Sequence, residues 1–144
     1  MLHKRFFISI FVVGFPWFVF SQNRLTVDVS NLRNTSGCVF LSVYNTEDGF
    51  PDNPEKAIKK GKLSPIKAKS VTYFFDDLPA GSYAVSVFHD EDCNGEMKTN
   101  ILGIPLEGSG ASNDARGKFG PPRYKDARFT LEGNKKITIK MWYF

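Results

Sequence analysis

Asp90, Asp92 and Asn94 occupy alternate positions of a short segment that ends on Gly95. Carboxylates and amides spaced in this way turn their oxygens toward the inside of a curved backbone, and a glycine permits the sharp bend. Calcium takes six to eight oxygen ligands. The spacing marks Asp90, Asp92 and Asn94 as candidate calcium ligands, with the Glu96 backbone carbonyl completing one side by analogy with calcium loops. The set is short of negative charge. A full loop of this type ends on a bidentate Glu at its twelfth position, where this chain has Ile101, and its ninth position is Lys98. Lys98 either repels a cation or supplies the positive charge itself. The missing carboxylate would have to come from Glu107 or Asp114. The same residues also suit a solvated Asx-rich turn, in which the side chains bond their own backbone.

Other reactive side chains are sparse. Of the two histidines, His3 lies in the apolar N-terminal segment, which leaves His89 for the rest of the chain. A lone His needs a nucleophile and an orienting group to act as a base, and no spacing supplies either. Ser86, Ser109 and Ser112 lie outside any nucleophile-elbow context. Zinc sites use three or four protein ligands, and one Cys with one His falls short of that. No catalytic residue is assigned, and the chain reads as a non-catalytic protein. His89 is expected to bond a loop carboxylate or carbonyl. Six lysines fall between Lys56 and Lys69 without interleaved aromatics, a solvated face rather than a nucleic-acid footprint.

The start of the chain sets the compartment. Lys4 and Arg5 precede an apolar run from Phe6 to Phe20, and Ser21 offers a small exit residue. This is the pattern of a secretory signal. The run is too short for a spanning helix and is broken by Pro16. The expected organisation is a signal peptide over 1–21, cut before Gln22, and one domain over 22–144, periplasmic or secreted and without a stable membrane span. Without Lys4 and Arg5 the balance is 17 basic against 15 acidic residues, which gives no case for a nucleic-acid partner. An oxidising compartment permits a bridge between Cys38 and Cys93, the two cysteines of the chain. Cys38 opens one expected strand and Cys93 follows the end of another. If those strands are antiparallel neighbours, the two ends meet.

The elements that must hold these residues are strands. Leu25, Val27 and Val29 alternate with polar residues, as do Val39, Leu41 and Val43, so 25–32 and 38–44 read as a hairpin or near neighbours. Asn53-Pro54-Glu55 should open a short helix that Gly61 ends. In 66–75, Ile66, Ala68, Thr72 and Phe74 share one parity. Tyr83, Val85 and Val87 mark a strong strand. Residues 90–125 are rich in Gly, Pro, Asn and Asp and read as one long irregular loop, of a length that is usually functional or mobile. Ala127, Phe129 and Leu131 alternate, and so do Ile137, Ile139, Met141 and Tyr143. Six or seven short strands with no long helical period mean an all-β sandwich or barrel.

Phe75-Asp-Asp-Leu-Pro-Ala-Gly-Ser-Tyr-Ala-Val-Ser-Val-Phe-His-Asp90 runs into Glu-Asp-Cys-Asn-Gly-Glu-Met-Lys-Thr-Asn100, followed by Gly103-Ile-Pro105, Glu107-Gly108, Ser112-Asn113 and Gly120-Pro-Pro122. This ordered set resembles the secreted bacterial family called domain of unknown function 2141. The resemblance implies a single β-sandwich, immunoglobulin-like or transthyretin-like, and no reaction. It also implies an Asp where Lys98 stands and aromatics near Ser109 and Ala111, so this chain departs from the pattern at a ligand position and on the loop. The expected function is an exported β-sandwich module that binds a ligand or partner through the 90–125 loop, with weak calcium binding. His89, Glu107, Asn113 and Asp114 are expected on the loop surface. The partner would be an envelope protein, a peptide or a glycan. The alternatives are a structural envelope component and a metal-assisted enzyme.

Overall fold

Leu25, Val27 and Val29 turn one completely buried face of β1 (Asn23–Ser30) toward the interior, as their alternation requires. The computed structural model describes residues 23–144; the expected signal over 1–21 and its cleavage point lie outside the described residues. The remaining strands are β2 (Cys38–Tyr44), β3 (Lys59–Leu63), β4 (Val71–Leu78), β5 (Gly81–Asp90), β6 (Gly108–Ala111), β7 (Phe129–Leu131) and β8 (Lys135–Lys140), with one short helix, α1 (Tyr124–Ala127). They form two sheets packed face to face, an all-β sandwich. The smaller sheet has the order β4-β1-β8, in which β1 runs antiparallel to β4 and parallel to β8. The larger has the order β3-β2-β5-β6, and β7 pairs with the start of β5.

The core lies between the sheets. Leu25, Val27 and Val29 face Val39, Leu41 and Val43 of β2 and Tyr83, Val85 and Val87 of β5, closed by Leu131, Ile139 and Met141. Burying side chains of this size contributes about 1.5–3 kcal/mol each. A second cluster sits on the outer face of the larger sheet, where Ala84, Ala111, Ala115 and Ala127 pack with Phe50 and Tyr124.

Four local expectations are corrected. First, β1 and β2 do not pair. They fall in different sheets and meet face to face across the core, because both bury their odd-numbered side chains. Second, Asn53 does cap a turn, accepting from the Glu55 N–H, but the 3₁₀ turn covers only Pro54–Lys56 and Gly61 lies within β3. The glycine is needed for packing: a Cβ there would sit 2.6 Å from the Tyr73 ring. Third, the strand placed at 66–75 begins at Val71 with the opposite parity. Val71, Tyr73 and Phe75 pair with Val29, Val27 and Leu25 on the core side, and Phe74 is exposed. One extra residue near Asp77, at positive φ, then shifts the register so that Leu78 also turns inward. Fourth, 90–125 is not wholly irregular, since β6 pairs with β5 inside it.

Candidate functional site

The loop between β5 and β6 starts where β5 pairs with the start of β2, Asp90 opposite Cys38. That register brings the two cysteines together, and Cys38 and Cys93 form a disulfide with Cα atoms 5.1 Å apart. Beyond it the chain turns tightly. Gly95 N–H donates to Asp90 Oδ2 at 2.6 Å, Asn94 N–H to Asp92 Oδ1 at 3.3 Å and Glu96 N–H to Asn94 Oδ1 at 2.7 Å. Asp92 and Asn94 therefore act as Asx-turn acceptors. Asn94 directs its amide oxygen to the backbone of Glu96, whose own side chain is exposed.

Glu107 arrives from the far end of the loop. Its Oε1 accepts from Glu91 N–H and its Oε2 from Lys98 N–H, both at 2.9 Å, and the residue is buried. One carboxylate oxygen from each of Asp90, Asp92 and Glu107 lies within 4.8 Å of the others. Glu107 thus stands near Asp90 and Asp92, as one of the two candidate suppliers of a further carboxylate. Asp114, the other candidate, is elsewhere and accepts from Lys140 N–H. Asp90 Oδ1 is buried with no hydrogen-bond partner among the described residues. The Lys98 ammonium pairs with Asp92 Oδ2. This contact holds the Asp92 carboxyl below its ordinary range and raises Lys98, with Glu107 and Asp90 adding to the latter.

Two of the residues expected on the loop surface are interior. His89 lies on the inward parity of β5 and is fully buried. Its Nε2 meets the Ser36 carbonyl at 2.9 Å and its Nδ1 the Tyr143 hydroxyl at 2.8 Å. A carbonyl only accepts, so the hydrogen belongs on Nε2, and Tyr143 donates to Nδ1. Tyr143 in turn accepts from Arg33 N–H, and burial raises its phenol above the ordinary range. Both ring nitrogens are committed to the fold, one of them to a loop carbonyl. Glu107 is interior because it satisfies two backbone donors. Asn113 is exposed but tied down, donating to the carbonyls of Asp126 and Arg128.

From Lys98 to Leu106 the loop folds back on itself as a finger. Leu106 N–H donates to the Lys98 carbonyl, Asn100 N–H to that of Ile104, and the Asn100 side chain accepts from Leu102 and Ile104. Ile101 and Leu102 at its tip are exposed, as is Phe119 farther along. Finger, Phe119 segment and C-terminal residues rise over the outer face of the larger sheet. They leave a groove of about 800 Å³ lined by Phe40, Phe88, Met97, Phe119, Trp142 and Phe144. Phe40, Phe88 and Ser109 are cross-strand neighbours in its floor, and Ser109 pairs with Trp142. The two phenylalanine rings stack with centroids 6.1 Å apart, and Trp142 meets Phe144 edge to face at 4.6 Å. Ser109 is small, which keeps the floor open beside Phe88.

Sequence reasoning did not find this groove. Its available signal was an aromatic on the outward parity of both β2 and β5, where a solvated strand face would carry polar residues.

A family model described as an uncharacterized protein conserved in bacteria, DUF2141, matches residues 27–140. The chain belongs to this family. The DUF2141 match takes in both sheets, the acidic cluster and most of the groove, stopping short of Trp142 and Phe144. No curated protein and no solved structure matches the chain.

Proposed function

We propose that this DUF2141 protein is an exported, non-catalytic binding module that takes its ligand between the 90–125 loop and the outer face of the larger sheet. The groove carries this proposal. Its volume of about 800 Å³ is within the range of small-molecule sites, and its wall is aromatic where a purely structural envelope component would be closed. Export is supported by the pattern of residues 1–21 and by the disulfide, which suits an oxidising compartment. Trp142 is the one tryptophan beyond the first 21 residues, so it reports on the groove directly. Phenylnaphthylamine, a neutral apolar fluorophore, should bind saturably and quench Trp142 by energy transfer. Phe88→Ser should weaken it about tenfold or more, since burial of a Phe contributes about 1.5–3 kcal/mol. No saturable quenching, or quenching unaffected by Phe88→Ser, would remove the groove as the binding surface.

Calcium binding at the loop root is a second proposal, favoured by the buried Asp90 oxygen that lacks a protein partner. Asp90, Asp92 and Glu107 would be the ligands, and Lys98, paired with Asp92, would compete with the ion. Affinity is then weak, on the order of 10⁻⁴ to 10⁻³ M as in extracellular modules. Millimolar calcium would stabilise the fold by about 1 kcal/mol. Lys98→Asp should tighten binding and Asp90→Ala abolish it in calorimetric titration. Absence of calcium heat and of any melting shift in both wild type and Lys98→Asp would leave the segment a turn and nothing more.

A further inference from the structure

We infer that the groove takes an amphipathic anion: an aliphatic or aromatic body with a carboxylate, sulfate or phosphate at one end. This rests on the groove being the binding surface and names the ligand class it suits. The body is set by the floor and walls, Phe40 and Phe88 below and Met97, Phe119, Trp142 and Phe144 around them.

The charge is set by cations placed against those aromatics. Lys62 Nζ lies 5.2 Å from the centroid of Phe40, and Arg116 Cζ lies 5.8 Å from that of Trp142. Lys118 lines the groove beside Phe119. None of these three forms an ion pair with a described residue. Lys60, also in the lining, is neutralised by Glu55. The acid of the lining is the exposed Asp52, set against Lys118 in the lining and against Lys62 and Arg116 over its aromatics. A positive rim on an apolar cleft selects anions that bring a body to bury.

Polar polymers suit the site less well. The floor strands are hydrogen-bonded on both sides, β2 to β3 and β5, and β5 to β2 and β6. The strands that carry Phe40 and Phe88 therefore offer an extended peptide no free backbone edge. A glycan needs a dense set of donors and acceptors, yet Ser86 Oγ already donates to the Pro51 carbonyl. The limited volume suits one soluble amphiphile rather than a bilayer.

The test is displacement of phenylnaphthylamine from the chain lacking residues 1–21, by decanoate, decanol and decylammonium, each below its aggregation concentration. Decanoate should displace the probe at about tenfold lower concentration than decanol, with decylammonium weakest, and added salt should narrow the gap. The triple variant Lys62→Gln, Arg116→Gln, Lys118→Gln should bring decanoate to the level of decanol in the same protein, so that the ratio of the two falls to about one. Asp52→Asn should strengthen decanoate, and melting curves verify that the variants are folded. Equal displacement by decanol and decanoate would overturn the inference while the bound probe upholds the groove. Decanoate binding that survives Phe88→Ser would place the anion elsewhere and overturn it too. Preference for anionic vesicles over free decanoate would replace the soluble ligand with a membrane surface. Failure of the probe itself to bind would instead strike the underlying proposal.

Discussion

Replacing Cys38 and Cys93 together by Ser should lower the stability of the domain by about 4 kcal/mol. The bridge spans 55 positions, and closing a loop of that length restricts the unfolded chain by roughly this amount in the loop-entropy model. In a protein whose whole stability is about 5–15 kcal/mol, such a loss leaves the fold marginal near physiological temperature. The bridge joins the start of β2 to the segment just beyond β5, two neighbouring strands already in register, so its removal should leave native contacts in place. The effect should fall on the unfolded state, as a lower urea midpoint with a slope equal to or above that of the parent. A loss below about 1 kcal/mol would show that the bridge constrains little. Two titratable thiols in the unreduced, unfolded protein would show that it does not form.

Glu107→Ala should cost about 3 kcal/mol. Glu107 is buried, and its two oxygens accept from the backbone N–H groups of Glu91 and Lys98. Truncation strands both donors, at about 1–3 kcal/mol for each buried group left unsatisfied. It also releases the root of the finger, so hydrogen exchange should accelerate at Glu91, Lys98 and Leu106. Glu107→Gln keeps one acceptor but turns an NH₂ toward a donor, and should fall between the parent and Ala. Native-like protection of the Lys98 amide in Glu107→Ala would show that the finger is held by other contacts.

The parts of this molecule that were legible are those whose side chains face one core. Alternation in β1, β2, β5 and β8 reports burial directly, and the cysteine placement follows once β2 and β5 are neighbours. β3 and β6 escaped because neither carries the signal. β3 is Lys-Lys-Gly-Lys-Leu at a sheet edge, where lysines deter pairing with other chains. β6 is Gly-Ser-Gly-Ala, whose glycines let Tyr143 and Ile139 approach closely. β4 was misread because Ile66 is buried from the preceding loop rather than from the strand. At the candidate site, the spacing of Asp90, Asp92 and Asn94 gave the turn, but local spacing could not choose between Glu107 and Asp114. That choice depends on β6 lying beside β5. The groove joins Phe40, Phe88 and Trp142 through two sheet pairings and a bridge, a proximity that no local pattern encodes.

The parallel pairing of β1 with β8 governs when the sandwich can assemble. Leu25 aligns with Lys135 and Ser30 with Lys140, so β1 has one edge without its native partner until almost the last described residues have been synthesised. Its other edge waits for β4. The smaller sheet has no hairpin joining consecutive strands to nucleate it, and a topology dominated by such distant pairings folds slowly. Until β8 has been synthesised the smaller sheet is incomplete, even though β2, β3 and β5 of the larger sheet are already present to pair.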